Sequence, residues 1–282
     1  MSVPAIVELA GLDKSLTHDE QLDSLRLKLE PYIYHHLIEQ YSPQLNAFWR
    51  TYTPPKQAPN AYVIVERRPH PNFAFILKMI AWASPQMSVY IFCSEENLEF
   101  IKILLNNKIA NYNLILAFSG KTSRQQGKID YNNLLTSQEF YEIIKADYIL
   151  TIQMDTIIRR KIPTEMFCGS YWGNPWAWKS QHPGGGGSTV RHIKTMIDIC
   201  KKFRPDPTQD LKDNEDSWIA DRIVETKSPY PDLEFRKNHI MESIPAQNPV
   251  ILHQFWTFAE QYHTMKKEEF STYWTRLLTL DI

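Results

Sequence analysis

A lone carboxylate, Asp155, follows the apolar and β-branched run Tyr148–Thr151 in the stretch TIQMDTIIRR. An acid just past a strand has two readings. As a turn or capping residue it serves only the local backbone. As a metal ligand it would hold a hard divalent cation, which takes oxygen donors and commonly bridges a carboxylate to substrate phosphates, neutralising a departing nucleoside diphosphate. Three later segments carry residue types suited to that chemistry. In PGGGGSTVR the missing Cβ atoms let backbone N–H groups approach a ligand, although the same run would also serve as a surface loop. NEDSW sets Glu215 and Asp216 at a helix start, where acids also complement the helix dipole by about 0.3–1 kcal/mol. His253 in ILHQFW follows a short apolar run and is either a ligand or a packed imidazole.

Other chemistries find less support. SGKTS (119–123) ends like a phosphate loop, but Ile115 stands where its first glycine belongs, and GGGGST has no lysine. Thr189 stands where a dinucleotide fingerprint needs its last glycine, and neither G-x-S-x-G nor H-E-x-x-H occurs. The formal net charge of -1 argues against nucleic acid as the main partner, because phosphate backbones need a basic face. Cys93, Cys168 and Cys200 are odd in number and spaced for neither zinc nor a disulfide scaffold, which suits a reducing compartment. The N-terminus lacks the basic and apolar regions of a signal peptide, and no stretch reaches roughly 18 apolar residues. These features predict a cytoplasmic protein with no membrane span.

The elements that must position these residues alternate. Strands are expected at 61–66, 88–93, 113–118 and 147–153, with helices over 71–83, 95–109 and 137–145 between them. That order predicts an α/β fold with a mostly parallel, Rossmann-type sheet flanked by helices, binding ligands outside the carboxyl ends of its strands. Residues 1–58 read as a helical N-terminal extension and linker, its helical pattern broken by Pro31 and closed by TPPKQAPN; residues 59–282 read as the main domain. Beyond Arg160 the sequence turns irregular and aromatic. Helices are then expected with Ile193, Met196, Ile197 and Cys200 on one face, over 214–225 with Asn214 as N-cap, and at the C-terminus over 268–280.

In this order of motifs the chain resembles the DUF5672 family, proteins expected to be glycosyltransferases with a GT-A type nucleotide-sugar-binding fold. The resemblance spans roughly residues 60–258. VIVERRPHPNFAFILK is similar to the family's first strand and R-P-H-P-N loop, SVYIFCSEENLEFIK to its second strand and helix, and DYNNLLTSQEFYEII to its Y-N-x-L-L-T-S-x-E-F segment. QMDT corresponds to Q-x-D-[ST], YWGNPW to G-A-P-W, GGGGSTVR to G-N-G-G-F-S-L-R, NEDSW to the E-D pair and HQFW to H-K-P-W. The resemblance implies that Asp155 and His253 bind a divalent metal, Mn²⁺ or Mg²⁺, on the diphosphate of the donor. It implies that Glu66, Arg67, Arg68, Asn132 and Gln153 contact the nucleotide sugar, and that Gly186 and Gly187 floor the sugar or acceptor site. Asp216, with Glu215 as understudy, would be the general base of an inverting transfer. Trp172, Trp176 and Trp178 are either core or sugar-stacking residues. Gly185 replaces the family's asparagine, and Gln254 and Phe255 replace its lysine and proline, so a positive charge near the diphosphate must come from elsewhere; Lys179, Arg159 and Arg191 are the candidates.

The expected activity is metal-dependent transfer of a sugar from a nucleotide-diphosphate sugar to the hydroxyl of a glycan or other acceptor. The alternatives are a non-catalytic nucleotide- or carbohydrate-binding module and a nucleotidyltransferase on a similar sheet.

Overall fold

The computed structural model describes residues 18–121, 123–203, 214–256 and 267–282, so the stretch before residue 18 that was read for a leader lies outside it. The first helix, α1 (His18–Thr51), runs without interruption through Pro31 and Pro43. Pro31 was expected to break it. Each proline removes a helical N–H, but tertiary packing offsets that loss. Leu29, Ile33, Tyr34, Leu37 and Leu45 are buried in the same core as the central strands, and such packing, more than propensity, stabilises helices in proteins.

The alternation of apolar runs and helices then unfolds as expected, with one helix, Arg124–Leu135, that was not anticipated. β1 (Asn60–Val65), α2 (Phe73–Ala83), β2 (Ser88–Ser94), α3 (Leu98–Leu105), β3 (Asn113–Phe118), α4 (Arg124–Leu135), α5 (Gln138–Ile143) and β4 (Tyr148–Thr151) follow one another. The four strands are parallel and lie in the order β3-β2-β1-β4. The chain therefore builds outward from β1 to β3 and returns to the other side of β1. That reversal opens a crevice at the carboxyl ends of β1 and β4, where open α/β sheets bind ligands. Along β1, Tyr62 and Ile64 enter the core shared with α1 and α2, while Ala61 and Val63 enter the core on the opposite face, the two-residue period of a strand covered on both sides.

The irregular, aromatic half of the sequence holds more strand than its pattern indicates. β5 (Thr156–Ile158) is followed by β6 (Tyr171–Asn174) and β7 (Gly185–His192). β7 adds antiparallel to β4, and β6 antiparallel to β7, completing a six-stranded sheet in which β7 alone runs against the rest. The last three of the four glycines, Gly185–Gly187, open a strand rather than forming a surface loop. α6 (Ile193–Phe203) and α7 (Glu215–Glu225) cover the second core; Ile199 is buried with Ile193, Met196 and Cys200 on the inner face of α6, and Ile197 packs partly buried against the same core. Asn214 takes the extended N-cap position of α7, but its side chain makes no cap bond. α8 (Leu233–His239) leads into β8 (Ile240–Met241), and β8, β9 (Ile251–His253) and β5 form a second sheet in the order β5-β9-β8. α9 (Lys267–Leu277) closes the first core with Trp274 and Leu277. All three cysteines are free thiols. Among the described residues no helix is long and apolar enough to cross a membrane.

Candidate functional site

After β4 the chain turns through Ile152–Asp155 and enters β5. Because β5 pairs antiparallel with β9, Thr156 lies opposite His253. That register brings the two candidate ligands together: Asp155 Oδ1 is 3.1 Å from His253 Nε2. The other ring nitrogen, Nδ1, is 3.2 Å from Glu242 Oε2. Glu242 immediately follows β8, and nothing in its local sequence, MESIP, singles it out. Asp155 and His253 are each only 3% exposed. Burial by itself lowers the imidazole pKa, but Asp155 and then Glu242 outweigh it and push it up to about 10. His253 is thus held between two carboxylates, which favour its protonated form. Gln254, in the position of the family's lysine, donates from Nε2 to Asp155 Oδ2 at 2.5 Å; it orients the aspartate rather than supplying charge.

This set fits a divalent cation. Ligand atoms 3.1 Å apart suit neighbouring corners of an octahedral ion, which lie about 3.0 Å apart for bonds of about 2.1 Å. With a cation in place of the shared proton, His253 Nδ1–H still donates to Glu242, the support that metal-bound histidines usually have. Among the described residues no group of three His, Cys, Asp or Glu side chains could hold a metal, so the remaining corners would be filled by substrate oxygens and water.

The glycines of β7 make room for this cluster. A Cβ on Gly187 would lie 2.2 Å from His253 Nε2 and 2.5 Å from Gln153 Oε1, and one on Gly186 would lie 2.6 Å from Glu242 Oε2. Gly186 also has φ +87°, a conformation that L side chains rarely adopt. A Cβ on Gly185 would lie 2.4 Å from Asp216 Oδ2, so the asparagine of the resembling family does not fit beside Asp216 as placed here. The space that looked reserved for a ligand is filled largely by the protein's own functional side chains. Asp216 is fixed to the same strand: its Oδ2 accepts from the N–H of Gly186 at 2.7 Å, and its Oδ1 from that of Ser217 at 2.7 Å.

Glu215 faces away from this arrangement into the second core. It pairs with Arg191 at 3.1 Å, while Arg191, fully buried, also donates to Thr189 Oγ1 and the Tyr141 hydroxyl. Burial and the Asp216 charge push the Glu215 pKa up to about 7, with Arg191 offsetting part of the rise. Asn132 is buried, and its Oδ1 accepts from the Glu215 N–H at 3.4 Å. It anchors the start of α7, whereas its neighbour Tyr131 faces the cleft.

That cleft, about 670 Å³, opens beside Asp155 and is lined by Glu66, Arg67, Arg68, Gln153, Arg124 and Lys128, among others. The Glu66 carboxylate organises the loop after β1, accepting from the N–H groups of Arg67 and Arg68, each at 2.8 Å, and from the Arg68 guanidinium at 3.0 Å. Arg67 pairs with Asp130 and stacks 4.4 Å from the centre of the Phe118 ring. Gln153 Nε2 donates to the Tyr131 hydroxyl at 3.0 Å. Arg124 and Lys128 stand one turn apart on α4, whose sequence RQQGKIDYNN is too polar for apolar periodicity to reveal; only the i,i+4 spacing of the two cations hints at a shared face. None of the three cations suggested as substitutes for the missing lysine is among the cleft-lining residues. Arg191 is buried against Glu215, Arg159 donates to Asn248, Pro249 and Arg276, and Lys179 pairs with Asp221. Trp172 is core, Trp176 is nearly buried, and Trp178 is exposed.

The family profile described as a protein of unknown function, DUF5672, matches residues 116–259, just over half of the chain. The span contains Asp155, the glycine-rich strand, Glu215, Asp216, Glu242 and His253, and leaves the loop after β1 outside. No curated protein matches the sequence.

Proposed function

The chain belongs to the DUF5672 family, and on that premise we propose that it is a metal-dependent glycosyltransferase with a GT-A-like fold, moving a sugar from a nucleoside-diphosphate sugar to an acceptor hydroxyl. The observation that carries this reading is the meeting of Asp155 and His253, 3.1 Å apart, with Asp155 in the wall of a cleft that four arginine and lysine side chains also line at the carboxyl ends of parallel strands. A bound Mn²⁺ or Mg²⁺ would neutralise charge on the departing diphosphate. Arg67 and Arg68, held by Asp130 and Glu66, favour the anionic donor, and Arg124 and Lys128 add charge from the facing helix. Asp216, oriented by the Gly186 N–H, takes the proton of the acceptor hydroxyl as that oxygen bonds to the anomeric carbon and the bond to the diphosphate oxygen breaks. Such proton transfer contributes about 10²–10⁴-fold in rate. Glu215, engaged by Arg191, supports the helix that presents Asp216.

The test is a thermal-shift panel of nucleotide sugars with and without Mn²⁺, since a ligand that binds only the folded state raises its melting temperature. A manganese-dependent shift in the wild type that disappears in Asp155→Ala is expected. An equal shift in both proteins overturns the role of Asp155, and none in the wild type overturns the reading. Asp216→Asn should keep the shift and lose about 10²-fold or more of transfer; binding without transfer in the wild type would instead identify a non-catalytic module.

A further inference from the structure

The connection from β6 to β7, residues 175–184, is held unusually firmly for a surface turn. Arg236, 1% exposed, donates to the carbonyls of Ser180 and His182. The Tyr230 hydroxyl donates to the Gln181 carbonyl at 3.0 Å, Ser243 Oγ to the Pro175 carbonyl at 2.9 Å, and the Ala177 N–H to Ser243 Oγ at 3.1 Å. What this scaffold presents is one indole. Trp178 is 69% exposed, whereas none of the other seven tryptophans is among the exposed large hydrophobics. Its ring lies parallel to that of Trp176, 6.0 Å away and 5° from coplanar orientation, and Trp176 in turn stacks on His182 at 5.4 Å. The Trp176 ring ends at Gly185, where an added Cβ would lie 2.7 Å from Trp176 Cζ2 and 2.4 Å from Asp216 Oδ2. A continuous path of two indoles therefore runs from solvent to the carboxylate assigned as base. Lys179, next in sequence to Trp178, donates to Asp221 at 3.3 Å, and Asp221 lies 2.9 Å from Nε2 of His182, the imidazole stacked on Trp176.

We propose that the exposed face of Trp178, on the turn that also carries Lys179, is a subsite for a pyranose ring of a glycan acceptor. The inference rests on the proposed transfer reaction for its direction, acceptor rather than donor. A pyranose has an apolar C–H face that covers an indole and hydroxyls around its edge that stay hydrated at so exposed a ring or bond to nearby polar groups. A single indole among charges offers far less apolar surface than a stable protein partner needs. A nucleobase would also stack, but the cations that suit its diphosphate line the cleft beside Asp155, and Trp178 is not in that wall.

Saturation-transfer NMR with methyl glycosides of glucose, galactose and mannose at millimolar concentration, in EDTA and without donor, tests the subsite. Ring-proton signals are expected with the wild type, lost in Trp178→Ala and largely kept in Trp178→Phe. The manganese-dependent thermal shift with nucleotide sugars should be the same in Trp178→Ala as in the wild type. Once an acceptor is in hand, the alanine variant should raise its KM by about tenfold with little change in kcat. No glycoside signal with the wild type, or an undiminished one in Trp178→Ala, overturns the subsite. Loss of the nucleotide shift in Trp178→Ala assigns the indole to the donor and overturns it as well. Glycoside binding through Trp178 in a protein with no manganese-dependent nucleotide shift would sustain the subsite while removing the transfer reaction.

Discussion

His253 lies between Asp155 and Glu242, and those contacts define separate tasks. Asp155 faces Nε2, the nitrogen available to a cation, and Glu242 faces Nδ1 and also accepts from Asn174 Nδ2. Glu242 is therefore a positioning residue. Glu242→Gln should weaken Mn²⁺ affinity by about 10–100-fold, the usual effect of losing such support, as read by calorimetric titration; unchanged affinity would show that β9 alone fixes the ring. Glu215 supports a prediction of another kind. Its pKa is raised from 4.5 in the unfolded chain to about 7, so the folded protein binds the extra proton. The associated stability is complete below 4.5 and is lost as the pH rises through about 7. Glu215→Gln removes that slope and sets a neutral amide beside Arg191 at every pH, as the protonated carboxyl does below about 7. The urea stability of the wild type, relative to that of the variant, should therefore fall by roughly 2–3 kcal/mol between about pH 5 and pH 8. A constant difference would place the proton elsewhere.

β7 and α4 are the elements on which the site depends most, and both were obscured in the sequence for physical reasons. β1, β2 and β4 are apolar because both of their faces are covered, and such continuous apolar runs are easy to read; β3, at the sheet edge, is equally apolar but leaves Leu116 exposed. β7 begins with glycines because His253, Glu242, Gln153 and Asp216 occupy the volume where Cβ atoms would sit. Glycine usually marks a loop, so the strand could not be recognised without knowing what packs against it. α4 is polar because it covers only part of the second core, with Asn132 and Leu135 its buried residues. The late histidine, the acid pair and the aspartate after β4 were all legible as residue types. The register that pairs Thr156 with His253 was not, since β5 and β9 are three residues each. Gly187→Ala tests the strand argument. Its methyl would have to displace His253, so the variant should lose the manganese-dependent nucleotide shift and about 1–3 kcal/mol of stability. Retention of both would mean that the ring moves aside freely. Replacing Arg124 and Lys128 together by glutamine tests the helix. Pyrophosphate affinity in EDTA should fall about tenfold at low salt, with a flatter salt dependence, and an unaltered salt dependence would remove α4 from the anion-binding wall.

The N-terminal helix determines how the molecule holds together. α1 packs on α2, and Leu29, Ile33, Leu37 and Leu45 complete the core that also buries Tyr62, Ile64 and Trp274. It also reaches the candidate site. The Tyr34 hydroxyl donates to the Thr156 carbonyl at 2.9 Å, next to Asp155, and Asn72 donates both to Glu30 and to the Met154 carbonyl. The turn that aims Asp155 is therefore fastened on one side by β9 and on the other by α1 and the loop before α2. This predicts a graded series. Tyr34→Phe loses one buried hydrogen bond and leaves the Thr156 carbonyl without that donor, at a cost of about 1–3 kcal/mol. Leu37→Ala leaves a cavity at a fully buried position and should cost about 2–5 kcal/mol. Deleting residues 1–51 uncovers the apolar face of α2 and should abolish cooperative unfolding altogether, because each buried leucine, isoleucine or tyrosine of α1 protects core surface worth about 1.5–3 kcal/mol. Urea denaturation followed by tryptophan fluorescence distinguishes the three. A truncated chain that unfolds in one sharp transition at the wild-type midpoint would make α1 an appendage. The expected loss of that transition would make it part of the platform that holds Asp155 in place.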